Sequence, residues 1–320
     1  MSTRLDTENL SEYFRRENIN TFLCCSSFED RCLVIPESLK DISPVMVYIF
    51  ENVEYLNEIS SNSKKLLDIF NNQVTPTPIY NTDPIKTSMA FINVINETLT
   101  KNDEIRLALD ITTFTRESLL ILIRVIDDFK DVIKKITLLY TPAKSMNEIW
   151  LSKGVDEFRS VLGFSGVFSP KKPLHLMIMA GFELERALLT IDEYEPAFIT
   201  IGLGSKDESI RPEFYKKNKI FVDDLVSIFG SQVRTFTFSL IDPVSCKNSI
   251  LNYLSKLDNY NTLISPMNNK ISTIGAGLAA LENKDIQLCY AQAQTYNFKG
   301  FSTPDSKVYV IDIELDSTSN

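Results

Sequence analysis

The chain carries its own pattern twice, and this limits its fold more than any other feature. Five short β-branched or aromatic runs, TFLCC (21–25), VMVYIF (45–50), VTPTPIY (74–80), IRLALDI (105–111) and KITLLY (135–140), alternate with stretches of helical spacing. The order returns as LHLMIM (174–179), AFITIGL (197–203), VRTFTFSL (233–240), NTLIS (261–265) and IQLCYA (286–291). Details recur as well as order. Ser27-Phe28-Glu29 after the first run corresponds to Gly181-Phe182-Glu183, with Arg31 or Arg186 close behind. IFNNQV (69–74) aligns with IFGSQV (228–233), and both run on without a gap to Asp83-Pro84 and Asp242-Pro243. Tyr140, Ala143 and Asn147 recur as Tyr290, Ala293 and Asn297. The offset drifts only from about 150 to 159 residues, a register that unrelated strands would not keep, so the chain reads as an internal duplication.

Strands alternating with helices predict right-handed β-α-β crossovers and a parallel sheet. Runs that are apolar at nearly every position predict helices on both faces of that sheet. The expected fold is α/β: two tandem Rossmann-like units, each a five-stranded, mainly parallel sheet flanked by helices, forming a pseudo-dimer in one chain. Pro76 and Pro78 place the third strand at an edge, because proline cannot donate to a ladder. The expected boundaries are 1–147 for the first unit, 148–172 for a connecting segment, 173–316 for the second unit and 317–320 for a disordered tail. Gly, Ser and Pro near residues 163–173 mark the join. Its apolar residues Ile149, Trp150, Leu151, Phe158 and Phe164 are expected to pack across the two units, or else to offer a docking surface. KVYVIDIELD (307–316) reads as one additional strand of the second unit.

Composition removes several function classes. With 44% apolar and 23% charged residues among 320, the chain can bury cores. Thirty-three basic residues against 42 acidic ones give a net charge of −9, the reverse of a nucleic-acid-coating footprint. The one histidine, His175, lies in an apolar run, so a histidine triad or multi-histidine metal site lacks its parts and a packed strand residue is expected. Among ten glycines there is neither G-x-x-x-x-G-K-[ST] nor G-x-G-x-x-G. Five cysteines without a C-x-x-C, a polar N-terminus without a signal peptide, and no apolar run of about 18 residues together suggest a reduced, cytoplasmic, soluble protein with no membrane contact. No cofactor or metal is expected.

Ligands of open α/β sheets bind beyond the carboxyl ends of the strands, where helix N-termini favour anions. Two loops per half lie there. After the first strand come Ser27, Glu29 and Arg31, mirrored by Gly181, Glu183 and Arg186. After the fourth come Asp110, Thr112, Thr115 and Arg116, matched in position by Asn268, Asn269 and Lys270. These residues are the candidate ligand-binding set: cations for a phosphate, with hydroxyls and amides for hydrogen bonds. Helix capping is the competing account, with Thr115 as an N-cap and Glu117 as a first-turn acid. Gly275-Ala276-Gly277 in the following helix would permit close backbone approach to a ligand or to the other half.

The stretch DITTFTR resembles the strand-four motif Asn-x-Thr-Gly-Gly-Thr-Lys of the CARF domains, the Rossmann-fold sensors of cyclic oligoadenylate in CRISPR-linked defence. Asp110 stands at the Asn position, Thr112 and Thr115 at the threonines and Arg116 at the lysine, while Thr113 and Phe114 replace the paired glycines. SPMNNK of the second half matches only by position and by Lys270. The resemblance implies a nucleotide, such as a cyclic nucleotide, bound across a cleft between two units, and a signal passed to a separate protein partner in antiviral defence. No output domain follows the second unit, and the acidic balance suits a protein partner better than nucleic acid. Two other readings remain open. One is a hydrolase or phosphodiesterase-like enzyme using Glu29, Glu183 and Asp110; the other is a scaffold subunit whose loops only cap helices.

Overall fold

The computed structural model describes residues 2–40, 42, 45–146, 150–257, 259–299 and 302–314. It divides into two compact units, Met1–Asn147 with Phe301–Asn320, and Glu148–Gly300. The expected tail 317–320 lies outside the described residues, as does Ile149.

In chain order the first part contains β1 (Ser2–Asp6), α1 (Leu10–Arg16), β2 (Thr21–Cys25), α2 (Arg31–Leu39), β3 (Met46–Asn52), α3 (Leu56–Ile69) and β4 (Thr77–Ile79). It continues through α4 (Pro84–Leu99), β5 (Ile105–Asp110), α5 (Arg116–Asp128), β6 (Ile133–Tyr140) and β7 (Ala143–Met146). Then follow β8 (Ser152–Ser160), β9 (Leu174–Met179), α6 (Leu184–Tyr194), β10 (Phe198–Gly204), α7 (Pro212–Phe229), β11 (Val233–Phe238) and α8 (Pro243–Leu254). The chain closes with β12 (Asn261–Pro266), α9 (Lys270–Glu282), β13 (Ile286–Tyr296), β14 (Ser302–Pro304) and β15 (Lys307–Ile313).

The two sheets share one plan. The first has the order β1-β15-β6-β5-β2-β3-β4 and the second β11-β10-β9-β12-β13-β8. Numbering the five repeated strands of each copy from one, both run 3-2-1-4-5, and these five are parallel throughout. This is the doubly wound Rossmann-like arrangement, with its direction reversal between strands one and four. All ten apolar runs of the sequence are strands, and the proline-bearing third strand of the first copy, β4, is an edge.

Side chains alternate across each sheet, so the two faces bury different helices. In the first unit Phe22, Cys24 and Ile49 share a core with Phe14 of α1, Ile35 of α2 and Leu66 of α3. On the other face Phe50 meets Phe91 of α4 edge-on at 4.9 Å, and Phe114 completes the group at 5.7 Å from Phe50. In the second unit Leu176, Ile178 and Ile201 bury against Ala187 of α6 and Leu225 of α7. Gly275 serves a packing need here: a Cβ would stand 2.7 Å from the Cys246 Sγ of α8. The close approach is between two helices of one unit.

Two boundaries differ from the sequence reading. The segment 148–172 is not simply a connector: β8 within it pairs antiparallel with β13 and completes the second sheet. Within that unit Phe158 meets Tyr194 at 6.1 Å and Phe164 is buried, while Trp150 is half-exposed with Lys153 over its ring. The strand read over 307–316 belongs to the first sheet, where β15 pairs antiparallel with β6 and β1. A strand reveals its own period, but an antiparallel strand added beside the fifth repeated strand can join either copy of a repeated sheet with equal local chemistry. Among the described residues no helix is long and apolar enough to cross a membrane.

Candidate functional site

At the carboxyl end of β2 the chain turns through Ser27, whose hydroxyl accepts the Glu29 N–H at 3.2 Å. The turn is pinned from α3: Asn62 donates to the Ser27 carbonyl at 3.0 Å, and the Ser26 and Ser63 hydroxyls meet at 2.7 Å. The N-cap of α2 is Asp30, which makes no side-chain cap bond, and Glu29 lies outside the helix. Helix capping therefore does not account for Ser27 and Glu29. Glu29 holds Arg31, with Nε and Nη2 each 2.8 Å from Oε2. Arg31 Nη1 donates to the Thr141 carbonyl at 3.2 Å, and Ser302 donates to Glu29 at 2.5 Å. Burial works against the Arg31 charge, yet Glu29 and Tyr140 outweigh it and hold the guanidinium firmly protonated.

The loop after β5 joins this network. The Thr141 N–H donates to the Thr112 hydroxyl at 3.0 Å, and that hydroxyl donates in turn to Asp110 Oδ1. Asp110 also accepts the Thr112 N–H at 3.0 Å, leaving Oδ2 and the Thr141 hydroxyl as buried atoms without a hydrogen-bond partner among the described residues. Burial raises the Asp110 pKa to about 7, against the pull of the Thr112 bonds and Arg31. Next along the loop, Thr113 donates to the Cys25 carbonyl at 2.6 Å and ties the fourth-strand loop to the end of the first strand. Phe114 is fully buried, and Thr115 caps α5 by accepting the Ser118 N–H at 3.1 Å. Arg116 is the first residue of that helix. Thus Glu29, Arg31, Thr112 and Asp110 form one connected network, with Thr115 and Arg116 at the adjoining helix start.

The second unit repeats the plan with different side chains. Glu183 pairs with Arg186 at 3.0 Å, both strongly buried, and the Ser152 hydroxyl accepts from Arg186 at 2.6 Å while donating to Glu183. Glu183 is the N-cap of α6 but makes no side-chain cap bond. Burial opposes the charge of Arg186; Glu183, Tyr296 and Tyr290 prevail and keep it protonated. Gly181 is required by backbone: a Cβ there would stand 2.1 Å from the Met267 carbonyl oxygen. Asn268 donates to the Ala180 carbonyl across the same contact, matching Thr113 in the first unit, and Asn218 of α7 reaches that carbonyl at 3.5 Å. Asn269 caps α9 by accepting the Ser272 N–H at 2.8 Å and donates to the Leu240 carbonyl at 2.8 Å. Lys270 opens α9 as Arg116 opens α5.

The chemistry of these groups is specific. Glu29 and Glu183 are engaged with cations and serine hydroxyls, an arrangement that ties the loops to neighbouring strands. Asp110, raised by burial to about 7, is divided between its acid and carboxylate forms near neutral pH. Among the described residues no group of three His, Cys, Asp or Glu side chains could hold a metal ion. Sequence reasoning missed Tyr140, Thr141, Ser152, Tyr296 and Ser302. The signal was present: the gap-free match from Tyr140 to Tyr290 extends, at the same offset, to Ser152 and Ser302.

No protein-family model matches the chain, and no curated protein does. Among solved structures, a putative universal stress protein from Pseudomonas aeruginosa UCBPP-PA14 aligns with a TM-score of 0.29 and 8% identity, covering 87% of this chain and 95% of that one. A functionally unknown protein from Pseudomonas aeruginosa PAO1 aligns at 0.27 and 7%, over 88% and 95%. Neither likeness bears on chemistry.

Proposed function

We propose that the chain is a regulatory binding module for a phosphorylated, nucleotide-type ligand, read out by a protein partner, and not an enzyme. The observation that carries this reading is a construction made twice. At the strand-one/strand-four reversal of each unit, a polar N-cap is followed at once by a cation, Thr115-Arg116 on α5 and Asn269-Lys270 on α9. Helix N-termini at that edge favour anions, and a cation at the first helical position adds to that positive end. The enzyme reading loses support because two of its three carboxylates are committed to Arg31 and Arg186. The CARF-like assignment stays within this proposal. It gains nothing from the loop interior, where Phe114 fills the space that paired glycines would open.

The test is a thermal-shift panel of mono-, di- and cyclic oligonucleotides on the intact chain and on Arg116→Ala and Lys270→Ala. A ligand at 100 times its dissociation constant stabilises by about 2.7 kcal/mol. The proposal expects a shift that both substitutions reduce; a flat response to the whole panel overturns it. A scaffold role is the second reading, favoured by the internal bonds that close both loops, Thr113 to Cys25 and Asn268 to Ala180. It expects that flat response.

A further inference from the structure

After the fifth repeated strand, the chain of each copy crosses to the sheet of the other. β8, which follows β6 and β7, lies beside β13; β15, which follows β13, lies beside β6. The register is the same in both places. Ser302 faces Met146 where Ser152 faces Tyr296, and Tyr309 faces Tyr140 where Arg159 faces Tyr290. The offset of 150 residues from Tyr140 to Tyr290 is also that from Ser152 to Ser302 and from Arg159 to Tyr309. Each ladder slips once between these pairs, at Gln292/Ala293 and at Thr303/Pro304. The crossing strand is therefore part of the repeat, and the exchange is reciprocal.

We infer that the Glu29–Arg31 and Glu183–Arg186 pairs are positioning latches for these exchanged strands. Each pair grips the first residue of the incoming segment. Ser302 begins β14 and donates to Glu29; Ser152 begins β8, donates to Glu183 and accepts from Arg186. Each arginine also hydrogen-bonds a tyrosine of the strand being completed, Tyr140 in one unit and Tyr296 in the other, where the Tyr296 hydroxyl meets that of Tyr290 at 3.1 Å. A glutamate, an arginine and a serine thus meet at the corresponding loop of both copies, although Arg31 lies two residues beyond its glutamate and Arg186 three. A phosphate site would leave its arginines facing the ligand; these are turned onto a carboxylate and a neighbouring strand. A charge-assisted bond to a buried pair is stronger than a neutral one, and an antiparallel edge strand has no partner on its far side to share the load. β8 is such an edge; β15 is an interior strand, paired with β1 on its far side over five residues, so there the grip adds to an existing ladder. The inference goes beyond the ligand reading and stands or falls without it.

Hydrogen exchange by mass spectrometry on the full chain tests it. Ser302→Ala removes the grip and leaves the Glu29–Arg31 pair in place. It is expected to speed amide exchange across 302–313 by about tenfold, as loss of one charge-assisted bond predicts, with 152–160 unchanged. Ser152→Ala is expected to give the mirror result, and Arg31→Ala and Arg186→Ala larger effects on the same segments. Unchanged exchange over 302–313 in Ser302→Ala, or equal loosening of both segments, overturns the latch. Should an arginine variant fail to fold, the serine variants decide alone.

Discussion

Asp110 and His175 are buried titratable groups of opposite sign, and each gives its unit a distinct pH response. Asp110 has its pKa raised to about 7 by burial, while in the unfolded chain it ionises near the ordinary carboxylate value. The native state therefore holds a proton that the unfolded state has released. Its stabilising contribution is complete below about pH 4 and is lost as pH rises to about 7, at up to about 1.4 kcal/mol per pH unit. Asp110→Asn keeps an acceptor for Thr112 and should flatten that slope, seen as a smaller difference between urea midpoints at pH 5 and pH 8. His175 is fully buried between the Thr262 and Thr200 hydroxyls, and burial lowers its pKa to about 4. Its contribution is present above about pH 6.5 and is lost as pH falls towards 4. Because it is the only histidine, its ring gives one set of NMR resonances. These should titrate near pH 4; a midpoint near 6.5 would contradict a packed, neutral imidazole.

At the scale of elements, the loops at the strand ends are closed by side chains reaching from one repeated strand to another. Phe114 illustrates the cost of opening one. It lies in contact with Phe50 and Phe91, at 5.7 and 6.4 Å between ring centroids, beneath the loop that Thr113 pins to Cys25. Phe114→Ala should lower unfolding stability by about 3–5 kcal/mol, measured by denaturant titration. A loss under 1 kcal/mol would mean that the loop does not rest on this ring. The repeated strands were legible in the sequence because a parallel strand covered on both faces is apolar throughout; β2 is buried at all five positions. Thr115 was legible as an N-cap for an equally local reason. β8 was not: SKGVDEFRS is polar, with mixed exposure, and gives no period-two signal. Nor could spacing show that Glu29 and Glu183 would turn onto their own arginines, since the serines that fix them come from far along the chain.

At the scale of the molecule, duplication explains why the same sheet order, loop ties and buried ion pairs appear twice within 320 residues. It also explains a division that no single cut in the sequence can reproduce, because the first unit recovers its last strands from beyond residue 300. Covalent order and spatial order part at the fifth strand of each copy. The most direct measurement is hydrogen exchange on a chain ending at residue 301, which lacks β14 and β15. Protection should fall in β6 and β1 of the first unit, while β9, β10 and β12 of the second keep their wild-type rates. Loss of protection in the second sheet, with β6 unaffected, would show that the final strand completes its own copy and that there is no exchange.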